Sequence, residues 1–114
     1  MRITAGELDR RISFWRSERI DDGTAMVDGA PAEIGKRSAK KTDVSDGERV
    51  RAAEQGSDVT TRFLVRADSF TRTITAKDEI RYRDRTYEVT GVKDSPERED
   101  GVEISTVSRT DTAA

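Results

Sequence analysis

Apolar and polar residues alternate along two segments of the chain, which is the pattern of a β-strand with one buried face. In the segment DRRISFWRS, Ile12 and Phe14 fall on one face, and Trp15 falls on the other. The segment DVTTRFLVRAD has a longer inward face, made of Val59, Thr61, Phe63 and Val65. Both segments are therefore predicted to be strands that lie against a common core.

A third alternating segment, from Glu79 to Lys93, is interrupted by the pair Asp84-Arg85 and then resumes. This arrangement predicts a β-hairpin, in which Ile80 and Tyr82 oppose Tyr87 and Val89. Neither turn residue is glycine, so a tight primed turn and a longer or type I turn with a bulge both stay open. The segment GVEISTVSR predicts a last strand, and SFTRTITAKD predicts a loop with Phe70 and Ile74 as its anchors.

The segment from Arg19 to Gly35 is rich in turn signals. Asp-Gly pairs occur at 22–23 and 28–29, and Pro31 follows. This composition predicts turn and loop, with at most a short strand around 32–34.

A short helix is predicted near residues 46–55. Ser45 followed three residues later by Glu48 matches a capping box, and Gly56 supplies a stop signal. The helix has only Val50 and two alanines as apolar residues. We therefore expect it to dock weakly on the rest of the protein.

These elements predict a single domain over residues 1–114 that is mostly β. The expected fold is a small antiparallel β-barrel or sandwich with one short helix. The long connection between the second and third strands, residues 42–57, is expected to be a mobile loop that carries the helix. Residues 110–114 are expected to fray.

The composition narrows the classes of function. The 21 basic and 23 acidic residues nearly cancel, which gives no general electrostatic reason for binding nucleic acid. There are no cysteines, so disulfides and cysteine-ligated metals are excluded. The first residues contain no apolar signal region, and no apolar stretch is long enough to span a bilayer. We expect synthesis in the cytoplasm and no membrane partner.

Few residue types in this chain could serve in catalysis. Histidine and cysteine are both absent, so we expect no enzyme, no cofactor and no metal site. The carboxylate clusters Asp21-Asp22 and Glu97, Glu99 and Asp100 lie in turn-rich segments, where solvated roles are favoured over acid–base catalysis. The segment DDGTAMVD lacks the spacing of a calcium loop and is read as a plain turn.

Three features have both a purely structural interpretation and a functional one. The basic run at residues 36–41 is typical of a solvated or partner-facing segment more than of a phosphate site. Arg81, Arg83 and Arg85 are predicted to alternate on one hairpin face, which is either solvated or an intersubunit surface. Trp15 is either a lid over a barrel end or an interface anchor, and the two interpretations are equally supported.

The order of these motifs resembles the phage head–tail joining proteins, the head-closure or stopper family of tailed viruses. The resemblance rests on AGELDRRISFWR, DDGT, SDGERVRAAEQGSDVTTRFLVR, ITAKDEIRYRDRTYEVTGVKD and GVEISTVSR, and so covers nearly the whole chain. The chain departs from the family pattern in its second strand, where the basic GKRSAKK replaces aromatic residues. It departs again at Ala67, where an aromatic residue often follows the strand arginine.

The resemblance implies a structural protein of the virion neck, assembled in the host cytoplasm. It implies a homo-oligomeric ring, expected as a dodecamer, with the head–tail adaptor and portal above it and the tail terminator or tail below it. Packaged DNA would pass through or be held by its channel. The residues expected to approach the channel are Asp46, Glu48, Arg49 and Arg51. Those expected at intersubunit or partner surfaces are Trp15, Arg62, Arg66, Arg81, Arg83 and Arg85.

Two other functions stay open on the sequence. One is the head–tail adaptor of the same connector, which is usually more helical. The other is a small nucleic-acid-binding β-barrel, in which the basic run and the hairpin arginines would hold a single strand; such barrels normally expose several stacking aromatics.

Overall fold

The computed structural model of the chain describes residues 3–21, 26–54, 56, 59–95 and 99–108. Within these ranges the chain forms six antiparallel strands that close into a barrel in the order β1-β2-β3-β6-β5-β4. The strands are β1 Arg10–Asp21, β2 Met26–Asp43, β3 Thr61–Arg66, β4 Asp78–Tyr82, β5 Arg85–Asp94 and β6 Gly101–Ser108. The helix α1 spans Asp46–Glu54, and short 3-10 turns occupy Ala5–Glu7 and Thr71–Thr73. Of the two predicted architectures, barrel and sandwich, the structure thus confirms the barrel.

The interior of the barrel is filled by the apolar face of each strand. Because successive side chains of a strand point to opposite faces, alternation in the sequence becomes an inside and an outside in the barrel. The predicted inward residues of β1 and β3 are all buried. The largest fully buried apolar side chains are Phe14, Phe63, Ile12, Ile80, Ile104 and Val65.

Two edge-to-face aromatic pairs order this core. The Phe63 and Tyr87 rings lie 5.1 Å apart with an interplanar angle of 81°. Phe14 and Phe70 lie 5.5 Å apart at 77°. Phe70 comes from the β3–β4 connection, so the predicted anchoring of that loop by Phe70 is confirmed, and Ile74 of the same loop is 3% exposed.

The predicted loop between Arg19 and Gly35 is wrong, because most of that segment belongs to β1 and β2. The Gly29 and Pro31 turn signals lie within β2, at a place where β1 is its only partner among the described strands. Proline is tolerated in a strand that has one free edge, and the pairing shifts register between Ser17 and Arg19 to absorb an extra residue. Residues 22–25, the centre of the segment DDGTAMVD that is read as a plain turn, lie outside the described ranges.

The hairpin of β4 and β5 is present, but its register differs from the predicted one: Ile80 pairs with Tyr87 and Tyr82 with Arg85, whereas a turn at Asp84-Arg85 would set Tyr82 opposite Tyr87. Its turn lies one residue earlier than expected, at Arg83 and Asp84, whose φ angles are 48° and 62°. Two central residues with positive φ define the tight primed turn, the geometry that matches the twist of the flanking strands. Of the two turn types left open by the sequence, the structure selects this one.

The helix α1 agrees with its predicted capping signal. The Glu48 N–H donates to Ser45 Oγ at 3.3 Å, and Gly56 ends the helix with a φ of 79°. No residue of α1 is buried, whereas Val44 before it and Val59 after it are. The connection between β2 and β3 is therefore anchored at its base and exposed along its helix.

Candidate assembly surface

Trp15 and Arg81 form a stacked pair on the outer face of the barrel wall. The Arg81 guanidinium carbon lies 4.0 Å from the centre of the Trp15 ring, within cation–π range. The strand register produces this contact, because β1 pairs with β4 from Ser13–Arg81 to Arg16–Asp78. We call this four-pair junction the seam.

Polar neighbours fix the orientation of both members of the pair. Trp15 Nε1 donates to Ser13 Oγ at 2.9 Å, and Arg81 Nη2 donates to Glu79 Oε1 at 3.1 Å. The Arg81 Nε atom is buried and has no hydrogen-bond partner. Trp15 thus lies on the wall of the barrel, half-buried under an arginine.

Arg62 connects the helix to the barrel. Its guanidinium binds Glu48 of α1, and its Nε lies 3.6 Å from Glu103 Oε1 on β6. Lys93 of β5 reaches the same Glu103 oxygen at 3.6 Å. The result is an ionic row that crosses β5, β6 and β3 and ends on α1.

The ion pair between α1 and the barrel changes the acidity of its members. The hydrogen bond from Arg62 lowers the pKa of Glu48 below its ordinary value, and the hydrogen bond from Arg62 to Glu48 raises the pKa of Arg62. Both shifts favour the charged forms at neutral pH. The side chains remain 32% and 38% exposed, so water screens much of the attraction.

Arg66 has a separate role at the far end of β3. Its Nη1 lies 3.4 Å from Asp100 Oδ2, and Asp100 Oδ1 accepts a hydrogen bond from the Ile3 N–H at 2.9 Å. Ile3 is 5% exposed. Arg66 and Asp100 therefore help to hold the N-terminal segment on the barrel.

The three hairpin arginines do not form one face, so that prediction is wrong. Arg81 is on the wall, whereas Arg83 lies in the turn with its guanidinium carbon 5.3 Å from the Tyr82 ring centre. Arg85 pairs with Tyr82 across the hairpin, which places it on the face opposite to Arg81. The primed turn separates these side chains because it uses Arg83 as a turn residue.

The four residues predicted to approach a channel all lie on α1, but their surroundings differ. Glu48 contacts the barrel through Arg62, whereas Asp46, Arg49 and Arg51 are exposed. Val50, between the two arginines, is 58% exposed. The outer side of α1 thus presents charges of both signs around one apolar side chain.

Sequence reasoning missed two arrangements around the β3–β4 connection. Arg37 places its Nε 3.0 Å from Asp68 Oδ2 and its guanidinium carbon 4.5 Å from the Phe70 ring centre. Arg16 forms a bidentate pair with the buried Asp78. In both cases an arginine of β1 or β2 binds the β3–β4 connection, the loop that closes the barrel. The partners are 31 and 62 residues apart in the sequence, so no local sequence pattern links them.

The described part of the chain contains no group of three metal-ligating side chains. In the two carboxylate clusters of the sequence, Asp100 accepts a hydrogen bond from the Ile3 N–H and pairs with Arg66, and Asp22 and Glu97 lie outside the described ranges. Within the same described ranges, no helix is long and apolar enough to cross a membrane.

The prominent polar side chains of this closed barrel hold its own loops, termini and helix in place. This is the architecture of a small structural or binding module. Comparison with family models then identifies the group: residues 3–109 match the model of the phage head completion protein, and the chain belongs to that family. Such proteins are structural components of the virion and associate with other virion components.

Comparison with solved structures supports the fold independently. The solution structure of protein SF1141 from Shigella flexneri 2a superimposes with a TM-score of 0.72, over 95% of this chain and 98% of that one. Sequence identity between the two is 17%, so this similarity shows a shared fold. Comparison with curated protein sequences finds no match.

Proposed function

We propose that this protein forms a ring in the head–tail connector of a tailed virus, below the portal and adaptor. There it closes the DNA-filled head and provides the surface to which the tail attaches. The observation that carries this proposal is the family match over residues 3–109, which makes the chain a head completion protein. The ring, expected as a dodecamer, and its position between adaptor and tail are the proposed refinements of that role.

The closed barrel suits a component that is loaded by packaged DNA. The strands hydrogen-bond to one another around the whole wall, and aromatic pairs fill its interior. A packed interior of this kind resists deformation, so loops and exposed side chains can be held in fixed positions.

The exposed side of α1 is the proposed channel-facing element. It carries Asp46, Arg49 and Arg51 outside the barrel, and none of its residues is buried. Its side chains are therefore free of core packing and accessible to a neighbouring copy or to DNA. The mixture of acidic and basic groups would let DNA pass, since a uniformly basic lining would retain its phosphates.

The outer wall supplies the proposed contacts with neighbouring copies or partners. The Trp15–Arg81 pair combines tryptophan and arginine, two residue types that are enriched among the few residues that supply most of the binding energy of an interface. Arg62 and Arg66 lie on the outward face of β3, and Arg83 and Arg85 lie at the hairpin end. These residues face different directions, which suits a subunit that is contacted from more than one side.

The test is electron microscopy of virus particles made without this protein, with purified protein added to half of the sample. We expect DNA-leaking or tailless heads beside free tails, and complete particles after addition. Particles that are full and tailed without the protein would overturn the proposal.

The alternatives from the sequence receive less support from the geometry. A single-stranded nucleic-acid site needs exposed aromatic faces, but Trp15 is covered by Arg81 and Tyr87 is 4% exposed. An adaptor would be expected to be more helical than a chain whose longest helix among the described residues has nine residues.

A further inference from the structure

The hairpin of β1 and β2 extends past the wall of the barrel. β1 pairs with β4 only from Ser13 to Arg16, whereas it pairs with β2 as far as Asp21. The extension consists of residues 17–21 of β1 and 26–31 of β2, and we call it the arm. Five residues of strand span about 16 Å. The principal-axis extents of the molecule are 50 × 33 × 26 Å.

Both long edges of the arm lack a strand neighbour within the described ranges. β4 ends its pairing with β1 at Arg16, and β3 pairs with β2 only from Lys40 to Asp43. The side chains of residues 30–33 on β2 are all exposed, so no loop of the described chain covers them. Among the described strands, neither outer edge of the arm therefore has a partner for its backbone N–H and C=O groups.

An isolated two-stranded ribbon is only marginally stable in water, and an unpaired edge is a template for another strand. β5 also has a stretch without a β4 neighbour, beyond Glu88, but Arg72 of the β3–β4 connection reaches across to Asp94 at its end. Among the described residues, the arm is the part of the sheet where neither edge has a strand partner.

A second copy of this chain supplies a matching edge. When two arms lie side by side in the same direction, β1 of one copy runs antiparallel to β2 of the next, as β1 and β2 already do within each arm. The ladder thus continues across the boundary with the same pairing geometry.

We propose that the arms of neighbouring copies pair edge to edge, with the β1 edge of one copy against the β2 edge of the next. This inference rests on the proposed ring and names the contact that builds it. A contact between two different edges is heterologous and repeats from copy to copy, so it can close a ring. A contact between two β1 edges would be isologous and would stop at a dimer.

Disulfide trapping tests this arrangement, because the native chain contains no cysteine. Arg19 and Asp28 are backbone partners within one arm, so they lie at the same distance from the barrel along the arm. The variants Arg19→Cys and Asp28→Cys each carry one thiol, and only one of the two is tagged. Both are produced together in cells that assemble the virus, and the particles are oxidised and separated on a non-reducing gel.

The expected product is the mixed disulfide between R19C and D28C, at least fivefold more abundant than either homodimer. A matched control pairs R19C with Lys77→Cys, an exposed position in the turn before β4, and should give no mixed product. A predominant R19C homodimer would show an isologous contact and overturn the proposal.

The outcomes separate this inference from the proposed function. Particles that contain the protein but yield no mixed disulfide would overturn arm pairing and leave the ring proposal standing. If particles are complete without the protein, the ring proposal falls, and the same trapping is carried out on concentrated purified protein. There, a mixed disulfide would support arm pairing by itself, and its absence would overturn it.

Discussion

Arg16 and Asp78 face each other across the seam in a bidentate ion pair. The Arg16 Nε lies 2.7 Å from Asp78 Oδ1, and its Nη2 lies 2.9 Å from Oδ2. The Asp78 side chain is 0% exposed, and it also accepts a hydrogen bond from the Thr75 N–H at 3.0 Å. Arg16 donates to the Thr73 carbonyl at 3.2 Å. This pair therefore joins the seam to the loop that closes the barrel.

Replacing Asp78 by alanine should lower the free energy of unfolding by about 2–3 kcal/mol, because the loop amide and the guanidinium lose their buried acceptor. The loss stays below that of a fully buried pair, since Arg16 is 41% exposed and can regain water. Urea unfolding followed by circular dichroism measures the change.

The matched control for Asp78 is Asp94→Ala. Asp94 pairs with Arg72, but its side chain is 76% exposed, so about 0.5 kcal/mol or less should be lost. Equal losses for the two variants would contradict the structural role of the Arg16–Asp78 pair.

Gly35→Ala should destabilise the barrel by about 1–3 kcal/mol. A Cβ at this position would lie 2.7 Å from Phe70 Cζ, so the ring that closes the barrel must move. Gly91→Ala is the control, because no atom lies within 4 Å of its added Cβ. Thermal unfolding should show a lower Tm for Gly35→Ala alone, and Phe70→Leu should narrow the difference between glycine and alanine at position 35.

Acid should release α1 from the barrel. The pKa of Glu48 is lowered by its hydrogen bond from Arg62, and the pKa of Asp43, just before α1, is lowered by its hydrogen bond from Lys41. A carboxylate whose folded pKa is depressed stabilises the folded state above its ordinary pKa and loses this contribution as pH falls through the folded value. The helix signal from NMR Cα shifts of residues 46–54 should therefore hold at neutral pH and decline below pH 4.5.

Glu48→Gln should give a weakened helix signal already at neutral pH, because the charge that binds Arg62 is gone. Glu54→Gln removes a negative charge from the other end of the same helix and serves as the control. If both variants keep the native signal and its acid dependence, the Glu48–Arg62 pair does not hold α1.

Removing Arg81 should expose Trp15, which is the only tryptophan in the chain. The guanidinium covers the indole face at 4.0 Å, so Arg81→Ala should shift the fluorescence emission to longer wavelength and cost about 1 kcal/mol of stability. Arg83→Ala, at the hairpin turn, should leave the emission unchanged. An identical spectrum for Arg81→Ala would mean that the stacked pair does not persist in solution.

The sequence predicts the inside of this barrel well, because alternation translates directly into strand faces. The spacing of Val59, Phe63 and Val65 predicts that they point inward, and all three are buried. The helix was also predictable, since Ser45 and Gly56 act on backbone groups close to them in the chain.

Elements that depend on distant partners were not predictable. β2 continues through Gly29 and Pro31 because β1 lies beside it, and this pairing outweighs the local turn preference. The hairpin turn moved by one residue because strand pairing sets its register. The Arg16–Asp78 and Trp15–Arg81 contacts form only once β4 has returned to β1, so local spacing carries no sign of them.

The seam also determines how this molecule would come apart. It joins β1 to β4 through four residue pairs, the same number as join β2 to β3, whereas β3 and β6 share six. Strand pairing attaches the β1–β2 hairpin to the rest of the barrel through those two short junctions, and side-chain contacts such as Arg37–Asp68 add to them. Under pulling or heat, this hairpin is the unit that can swing out as a flap while β3, β4, β5 and β6 stay together as a sheet.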